Sequence, residues 1–236
     1  MIPARLCLLV LSTRLLYLGN RPPHDPPTQG DKVTKKRIFD RYVRIMCHLF
    51  NTPFFLRVSF ECIALLTAQF SSHAISRQGL LATLPNQDPQ ILKTLPLSLV
   101  IGTTFVVSGA GIRLLCYRTL GRLYTYEITI RPGHKIVDSG PYGFVRHPAY
   151  TGGFLLYTGA VLLAVGPGSY LWECGLATSY IVIRIVMTVW TIFVIWFTYS
   201  LMARAPIEDK SLRLKFGKEW EAYAYRVPHR FIPGIY

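Results

Sequence analysis

Two polar blocks in the second half of this 236-residue chain carry residue types suited to holding a charged ligand. The first runs E-I-T-I-R-P-G-H-K-I-V-D-S-G-P-Y-G-F-V-R-H-P-A-Y-T-G-G, from Glu127 to Gly153. In it Arg146 and His147 stand directly before Pro148, and proline is well tolerated in the first turn of a helix. The pair should therefore sit at the entry of a helix that carries Tyr150. A helix N-terminus offers free backbone N–H groups and a partial positive charge, which suits an anionic group. Gly140 and Gly143 flank Pro141 and Tyr142, a pattern for a tight turn that brings backbone close to a ligand. The same residues also fit an interfacial role, with Arg146 and His147 reaching headgroups and Tyr142 and Tyr150 forming part of an aromatic belt.

The second block spans Arg204 to Pro228. Arg204 and Glu208 are four residues apart, so on a helix they share one face and either pair with each other or face a common ligand. Pro206 between them predicts that the helix kinks or restarts there. Asp209 extends the acidic cluster. From Phe216 to Tyr225 aromatic and charged residues alternate in the manner of an amphipathic helix lying on a membrane surface.

The elements that must position these blocks are membrane helices. The chain is 51% hydrophobic and only 16% charged, where soluble globular domains carry about 25% charged residues. Apolar segments at Leu95 to Tyr117, Tyr150 to Val165 and Thr178 to Met202 approach or exceed the roughly 20 residues that a helix needs to cross hydrocarbon. The first of these carries Gly102, Ser108, Gly109, Ala110 and Gly111, small surfaces for close helix contact. The last two read as a helical hairpin, which would return the chain to the side it left and bring the two polar blocks together. Met46 to Phe70 reads as a span whose Arg57 and Glu61 pair, or as an interfacial helix. Residues 1 to 18 read as an uncleaved anchor or an interfacial helix, because Arg14 interrupts the apolar run and no small-residue cleavage site follows. Four spans are thus supported, and the N-terminal anchor would be a fifth.

Lys and Arg are dense in the segments before and after the hairpin and absent from Gly166 to Ala177, which places both polar blocks on the cytosolic side. The same count puts the basic, proline-rich 21 to 44 segment in the cytosol and the 71 to 93 connection opposite. The net charge of +14 is spread among apolar runs, a distribution of membrane-facing loops rather than of a nucleic-acid surface. The five cysteines are far apart, with no C-x-x-C pair, so no metal site and no disulfide framework is indicated.

The combination H-K-I-V-D-S-G-P-Y-G-F-V-R-H-P-A-Y-T-G-G, Arg204 with Glu208, F-G-K-E-W-E-A-Y and R-V-P-H-R-F-I-P-G-I-Y resembles the isoprenylcysteine carboxyl methyltransferases of the endoplasmic reticulum membrane, especially fungal ones. The resemblance covers about residues 115 to 236. R-H-P-x-Y alone also looks like phospholipid N-methyltransferases, and with W-x-x-Y and V-P it looks like membrane sterol reductases. What the resemblance implies is S-adenosyl-L-methionine as cofactor, bound by His134, Lys135, Ile136, Val137, Tyr142, His147, Pro148, Ala149 and Tyr150, with Glu208 closing the site. It implies Arg204 and Glu208 as the catalytic pair, with Arg204 facing the carboxylate of prenylated proteins or peptides drawn from the bilayer and Glu127 as another polar residue on the substrate side. Departures are Asp209 where the family commonly has a second glutamate, Trp220 in place of a frequent tyrosine, and an N-terminal half without a match.

The expectation is thus an all-α, polytopic integral membrane protein with a C-terminal helical hairpin and a cytosolic cofactor site in the endoplasmic reticulum membrane. Residues 1–47 would form the anchor and basic loop, 48–117 transmembrane helices, and 118–236 the methyltransferase core. Methylation of another lipid acceptor, an NADPH-dependent sterol reductase and an inactive membrane scaffold are the alternatives.

Overall fold

The computed structural model describes residues 2–24, 32–33, 38–70, 92–127, 129–130 and 133–234. Arg131 and most of the 71 to 93 connection, both used in the charge count, lie outside the described residues. Nine α-helices are described: α1 Ile2–Asn20, α2 Ile38–Gln69, α3 Leu97–Leu120, α4 Pro148–Val165, α5 Tyr170–Glu173, α6 Leu176–Ser179, α7 Ile181–Met202, α8 Ala205–Phe216 and α9 Lys218–Arg226. A two-residue antiparallel ladder, Lys32 opposite Ile130 and Val33 opposite Thr129, is the only strand pairing among the described residues. The protein is an all-α, polytopic membrane protein. Among the described residues five helical segments are long and apolar enough to cross a bilayer: Ile2–Asn20, Tyr42–Gln69, Leu97–Leu123, Pro148–Glu173 and Ile181–Phe216. The N-terminal segment is thus helical and span-length, and the expected Met46 to Phe70 segment lies, up to Gln69, within a long helix that begins at Ile38 and contains Pro53.

The last two long helices are joined through the four-residue helices α5 and α6. The expected interruption near Pro206 is present: α7 stops at Met202, Arg204 takes the N-cap position, and Pro206 lies in the first turn of α8, where its missing N–H costs nothing. Gly217, at φ 53°, separates α8 from α9 in a conformation that side chains rarely adopt.

The chain divides into two compact units. Unit 1 comprises Met1–Tyr17, Leu49–Val107 and Leu156–Ile195, and unit 2 comprises Leu18–His48, Ser108–Leu155 and Trp196–Tyr236. In unit 1 a Cβ on Gly159 would lie 2.7 Å from the Gly102 carbonyl oxygen, so α3 and α4 approach through bare backbone. Phe50, Tyr157 and Trp190 pack beside them, ring centroids 4.9 and 5.7 Å from Phe50, and the Trp190 indole donates to the Phe50 carbonyl at 3.0 Å. In unit 2 Gly152 and Gly109 repeat the device, with a Cβ on Gly152 falling 2.9 Å from the Gly109 carbonyl. Gly111 meets nothing within 4 Å and is not part of this contact.

Buried Arg113 organises unit 2. It donates to the carbonyls of Gly19 and Ala149 and to the hydroxyls of Tyr117 and Tyr126. The Gly19 carbonyl belongs to the last turn of α1, which has no following turn to satisfy it, so one guanidinium ties a helix end to the start of α4.

Candidate functional site

The two polar blocks meet within unit 2. Pro148 opens α4 as its sequence position predicts, and the two residues before it pair with the C-terminal segment: Arg146 N–H donates to the His229 carbonyl at 2.9 Å and His147 N–H to the Arg230 carbonyl at 2.8 Å. Thr151 Oγ1 extends the contact by donating to the Phe231 carbonyl at 2.8 Å. This pins R-V-P-H-R-F against R-H-P. It explains why two stretches about 80 residues apart appear together.

Asp209 joins these segments by side chain. One oxygen lies 2.8 Å from His147 Nε2, and the other accepts from Arg230 Nε at 3.0 Å, with Arg146 Nη2 at 3.5 Å. The neighbouring Glu208 accepts a hydrogen bond from the Tyr150 hydroxyl at 2.8 Å, and His147 Nδ1 stands 3.6 Å away. His147 and Tyr150 stack with ring planes 7° apart, and the Tyr150 N–H donates to the His147 carbonyl at 3.1 Å at the entry of α4. Asp209 is buried, whereas the Glu208 side chain is 36% exposed, so the first anchors and the second faces open space.

That space is an open cavity of about 990 Å³ including its mouth. Of the residues singled out in the sequence, Glu127, His134, Lys135, Ile136, Val137, Tyr142, His147, Ala149, Tyr150 and Glu208 all line it. Pro148 and Arg204 are not among its wall residues. Pro148 sets the helix entry between two that are, and Arg204 is 4% exposed, its Nη2 donating to the Tyr126 carbonyl at 2.8 Å, next to Glu127 in the wall. Glu127 in turn is held by Arg44, whose Nε donates to Oε1 at 2.9 Å. The tight turn at 140–143 is a 3-10 helix with Gly140 at φ 57°, and the Tyr142 carbonyl accepts from Tyr223 at 3.0 Å.

Tyr124, Ser211, Leu212, Trp220 and Tyr223 also line the cavity without having been read as site residues. Ser211 and Leu212 stand three and four residues after Glu208, and Tyr223 three after Trp220. Helical spacing from the known acid and from the aromatic would have found them.

Several wall atoms have no hydrogen-bond partner among the described residues although they are buried: Glu127 Oε2, His134 Nδ1, Trp220 Nε1 and Arg146 Nε. Buried polar atoms are rarely left so unless a ligand or water serves them. The set combines carboxylates at 127 and 208, aromatic faces at 124, 142, 150 and 220, and cations at 135 and 146. It fits a ligand that carries positive charge, an aromatic ring and a carboxylate. Burial, reinforced by nearby Lys215, pushes the His134 imidazole below its ordinary pKa, so the ring is neutral at neutral pH. Burial pushes the Tyr142 phenol well above its ordinary value, which keeps it a hydroxyl. Among the described residues no cluster of His, Cys, Asp and Glu is arranged to hold a metal ion.

The model of the isoprenylcysteine carboxyl methyltransferase family matches residues 100–213. A probable protein-S-isoprenylcysteine O-methyltransferase of Oryza sativa is 34% identical over 137 residues, 57% of this chain and 61% of that protein. Protein-S-isoprenylcysteine O-methyltransferase B of Arabidopsis thaliana is 30% identical over 129 residues, 54% of this chain and 55% of that protein. A probable 7-dehydrocholesterol reductase of Acanthamoeba polyphaga mimivirus is 33% identical over 102 residues, 43% of this chain but only 19% of that protein. The chain thus matches about three fifths or less of the length of these curated relatives. No solved structure matches the chain significantly. The family match contains the Arg146–Tyr150 entry, the Glu208–Asp209 pair and most of the cavity wall, and over residues 100–213 the chain is similar to the isoprenylcysteine carboxyl methyltransferase family.

Proposed function

We propose that this protein is a protein-S-isoprenylcysteine carboxyl O-methyltransferase that uses S-adenosyl-L-methionine to methylate the C-terminal carboxylate of prenylated proteins or peptides at the endoplasmic reticulum membrane, with its site facing the cytosol. The single observation that carries the reading is the convergence of both polar blocks on one cavity, with Glu208, Tyr150 and His147 hydrogen-bonded or stacked at its wall inside the family match.

The cofactor supplies an activated methyl group on a sulfonium centre. The residues that would hold it are His134, Lys135, Ile136, Val137, Tyr142, His147, Pro148, Ala149, Tyr150 and Glu208. Carboxylate and aromatic faces suit its positive charges, and Lys135 suits its carboxylate. Glu208 is held in place by the Tyr150 hydroxyl, and His147 is fixed by Asp209, so the wall is ordered before a ligand arrives. Such preorganisation is what a methyl transfer needs, because the accepting carboxylate is already ionised and requires placement and exclusion of water rather than a general base.

Arg204 and Glu127 form the substrate side of the reading. Arg204 is anchored on the Tyr126 carbonyl, so the guanidinium that would orient a carboxylate and the wall stretch that carries Glu127 are set by one contact. A planar guanidinium holds a carboxylate by two directed bonds, a positioning role that lysine does not reproduce. The isoprenoid tail gains about 0.8 kcal/mol per buried CH₂, so the bilayer itself would concentrate the substrate.

The test is transfer of labelled methyl from S-adenosyl-L-methionine to N-acetyl-farnesylcysteine by membranes that hold the full chain. Base-labile label on the prenylcysteine, with Glu208→Ala weakening cofactor binding and Arg204→Ala chiefly raising the KM for prenylcysteine, is the expected result. Cofactor binding without transfer would redirect the reading to another lipid acceptor, and its absence would overturn the methyltransferase reading.

A further inference from the structure

The candidate site leaves unused a second group of buried charges, in unit 1. Arg5 of α1 donates from Nε to Glu61 Oε1 at 2.8 Å, and Arg57 Nη2 stands 2.6 Å from Glu61 Oε2. All three residues are at least 95% buried. Two guanidinium groups therefore share one carboxylate, and the group carries a net positive charge inside apolar surroundings. Nε and Nη1 of Arg57 have no hydrogen-bond partner among the described residues. Charges within membrane helices are costly, and where they occur they commonly mark a binding or transport site.

Arg57 forms part of the wall of a groove of about 1480 Å³, mouth included, whose other walls are almost wholly apolar. Leu56 and Phe60 line it from α2, and Ile183, Val186 and Met187 from α7. Its rim is open: Leu56 is 58% exposed and Val182 67% exposed on helices long enough to span a bilayer. Ser179, Tyr180 and Ile181, at the entry of α7, also line it. A guanidinium with free donors beneath an apolar, laterally open groove is complementary to an amphiphile with an anionic head and a hydrocarbon tail.

We propose that this groove binds an acidic phospholipid of the surrounding bilayer, its phosphate held by Arg57 and an acyl chain lying between Leu56, Phe60 and the first two turns of α7. An inorganic anion would gain nothing from the apolar walls. The residues read as cofactor and substrate site all belong to unit 2, and none of them lines the groove. The inference therefore stands apart from the methyltransferase reading.

The test uses the full chain purified in neutral detergent, with dioleoyl phosphatidylglycerol and dioleoyl phosphatidylcholine offered in turn and bound lipid counted by native mass spectrometry. Wild type should retain phosphatidylglycerol in preference. Arg57→Gln should weaken that retention about tenfold, the loss expected for a charge-assisted bond, and Arg57→Lys should keep part of it. Val182→Trp, which changes only an exposed side chain at the rim, should weaken it as well and decides the matter if Arg57→Gln does not fold. Equal retention of both lipids, retention unaffected by Val182→Trp, or displacement of phosphatidylglycerol by N-acetyl-farnesylcysteine would overturn the proposal.

Discussion

Both compact units bury charge, but they share it out in opposite ways. In unit 1 one carboxylate, Glu61, serves two guanidinium groups, Arg5 and Arg57. In unit 2 the carboxylate of Asp209 is surrounded by His147, Arg230 and Arg146, and a second carboxylate, Glu208, lies beside it with 36% of its side chain open to the cavity. Unit 1 thus locks its acid away, whereas unit 2 uses one acid as an anchor and leaves the next available. The lesson is that buried ion pairs within one chain do different work. A carboxylate locked between two guanidinium groups mainly penalises its own disruption, while a carboxylate at the rim of a cavity fixes the orientation of groups that meet a ligand.

Glu61→Ala tests the closed case and should have the largest effect. It leaves Arg5 and Arg57 buried without their shared carboxylate, and breaking such a pair costs about 3–5 kcal/mol. Unfolding of the purified chain in mixed micelles would show it. A loss below about 1 kcal/mol would mean that water reaches the cluster, as at exposed pairs. Asp209→Ala tests the open case. Each lost bond between neutral partners is worth about 0.5–1.5 kcal/mol, and bonds to charged groups about 1.5–3, but His147, Arg146 and Arg230 keep backbone bonds or water as alternatives. We expect a stability loss of about 1–3 kcal/mol together with weaker cofactor binding, because His147 loses its fixed orientation. Unchanged cofactor affinity in Asp209→Ala would break the comparison, since unit 2 would then be as closed as unit 1.

A pH titration sharpens the same contrast at a smaller scale. His134 faces the cavity with Nδ1 buried and its pKa lowered first by burial and then by Lys215. Protonation would place a second cation beside Lys215. If Nδ1 serves the cofactor as an acceptor, binding is constant above the ordinary histidine value of about 6.5 and weakens only as pH falls through the lower pKa of the folded protein. Isothermal titration across that range should show the acid limb in wild type and not in His134→Gln. A limb centred above about 6.5 would contradict a buried neutral ring.

Much of the site was legible because its parts are local. Pro148 after Arg146 and His147 announced a helix entry, Pro206 announced the break between α7 and α8, and sixteen of the wall residues fall in the two polar blocks. What stayed hidden depends on distant pairs. No spacing rule connects Asp209 to Arg230, Glu127 to Arg44, or Arg113 to the end of α1. Arg57 and Glu61 were readable as a pair, four apart on one helix, but the third member, Arg5, lies 56 residues from Glu61. The placement of Arg204 behind the Tyr126 carbonyl was likewise unreadable, since a bond to backbone leaves no mark on residue type. Glycine contacts were partly legible: the cluster of small residues in α3 flagged a close approach, but only the partner helix decides that Gly102 and Gly109 are used and Gly111 is not.

The smallest effect is expected where charge is neither buried nor beside a cavity. Arg213 of α8 donates from Nη2 to Glu221 of α9 at 2.7 Å, a shorter contact than any that Asp209 makes, yet the two side chains are 62% and 50% exposed. Solvent screens such a pair, and holding two long side chains in one geometry costs rotamer freedom, so exposed pairs contribute about 0–1 kcal/mol. Glu221→Ala should therefore shift unfolding by no more than about 0.5 kcal/mol and leave cofactor affinity unchanged, with the small shift vanishing at high salt. Distance alone would rank this bridge above the His147–Asp209 contact. A loss in Glu221→Ala as large as that in Asp209→Ala would show that the α8–α9 junction at Gly217, rather than the buried cluster, holds the second polar block in place.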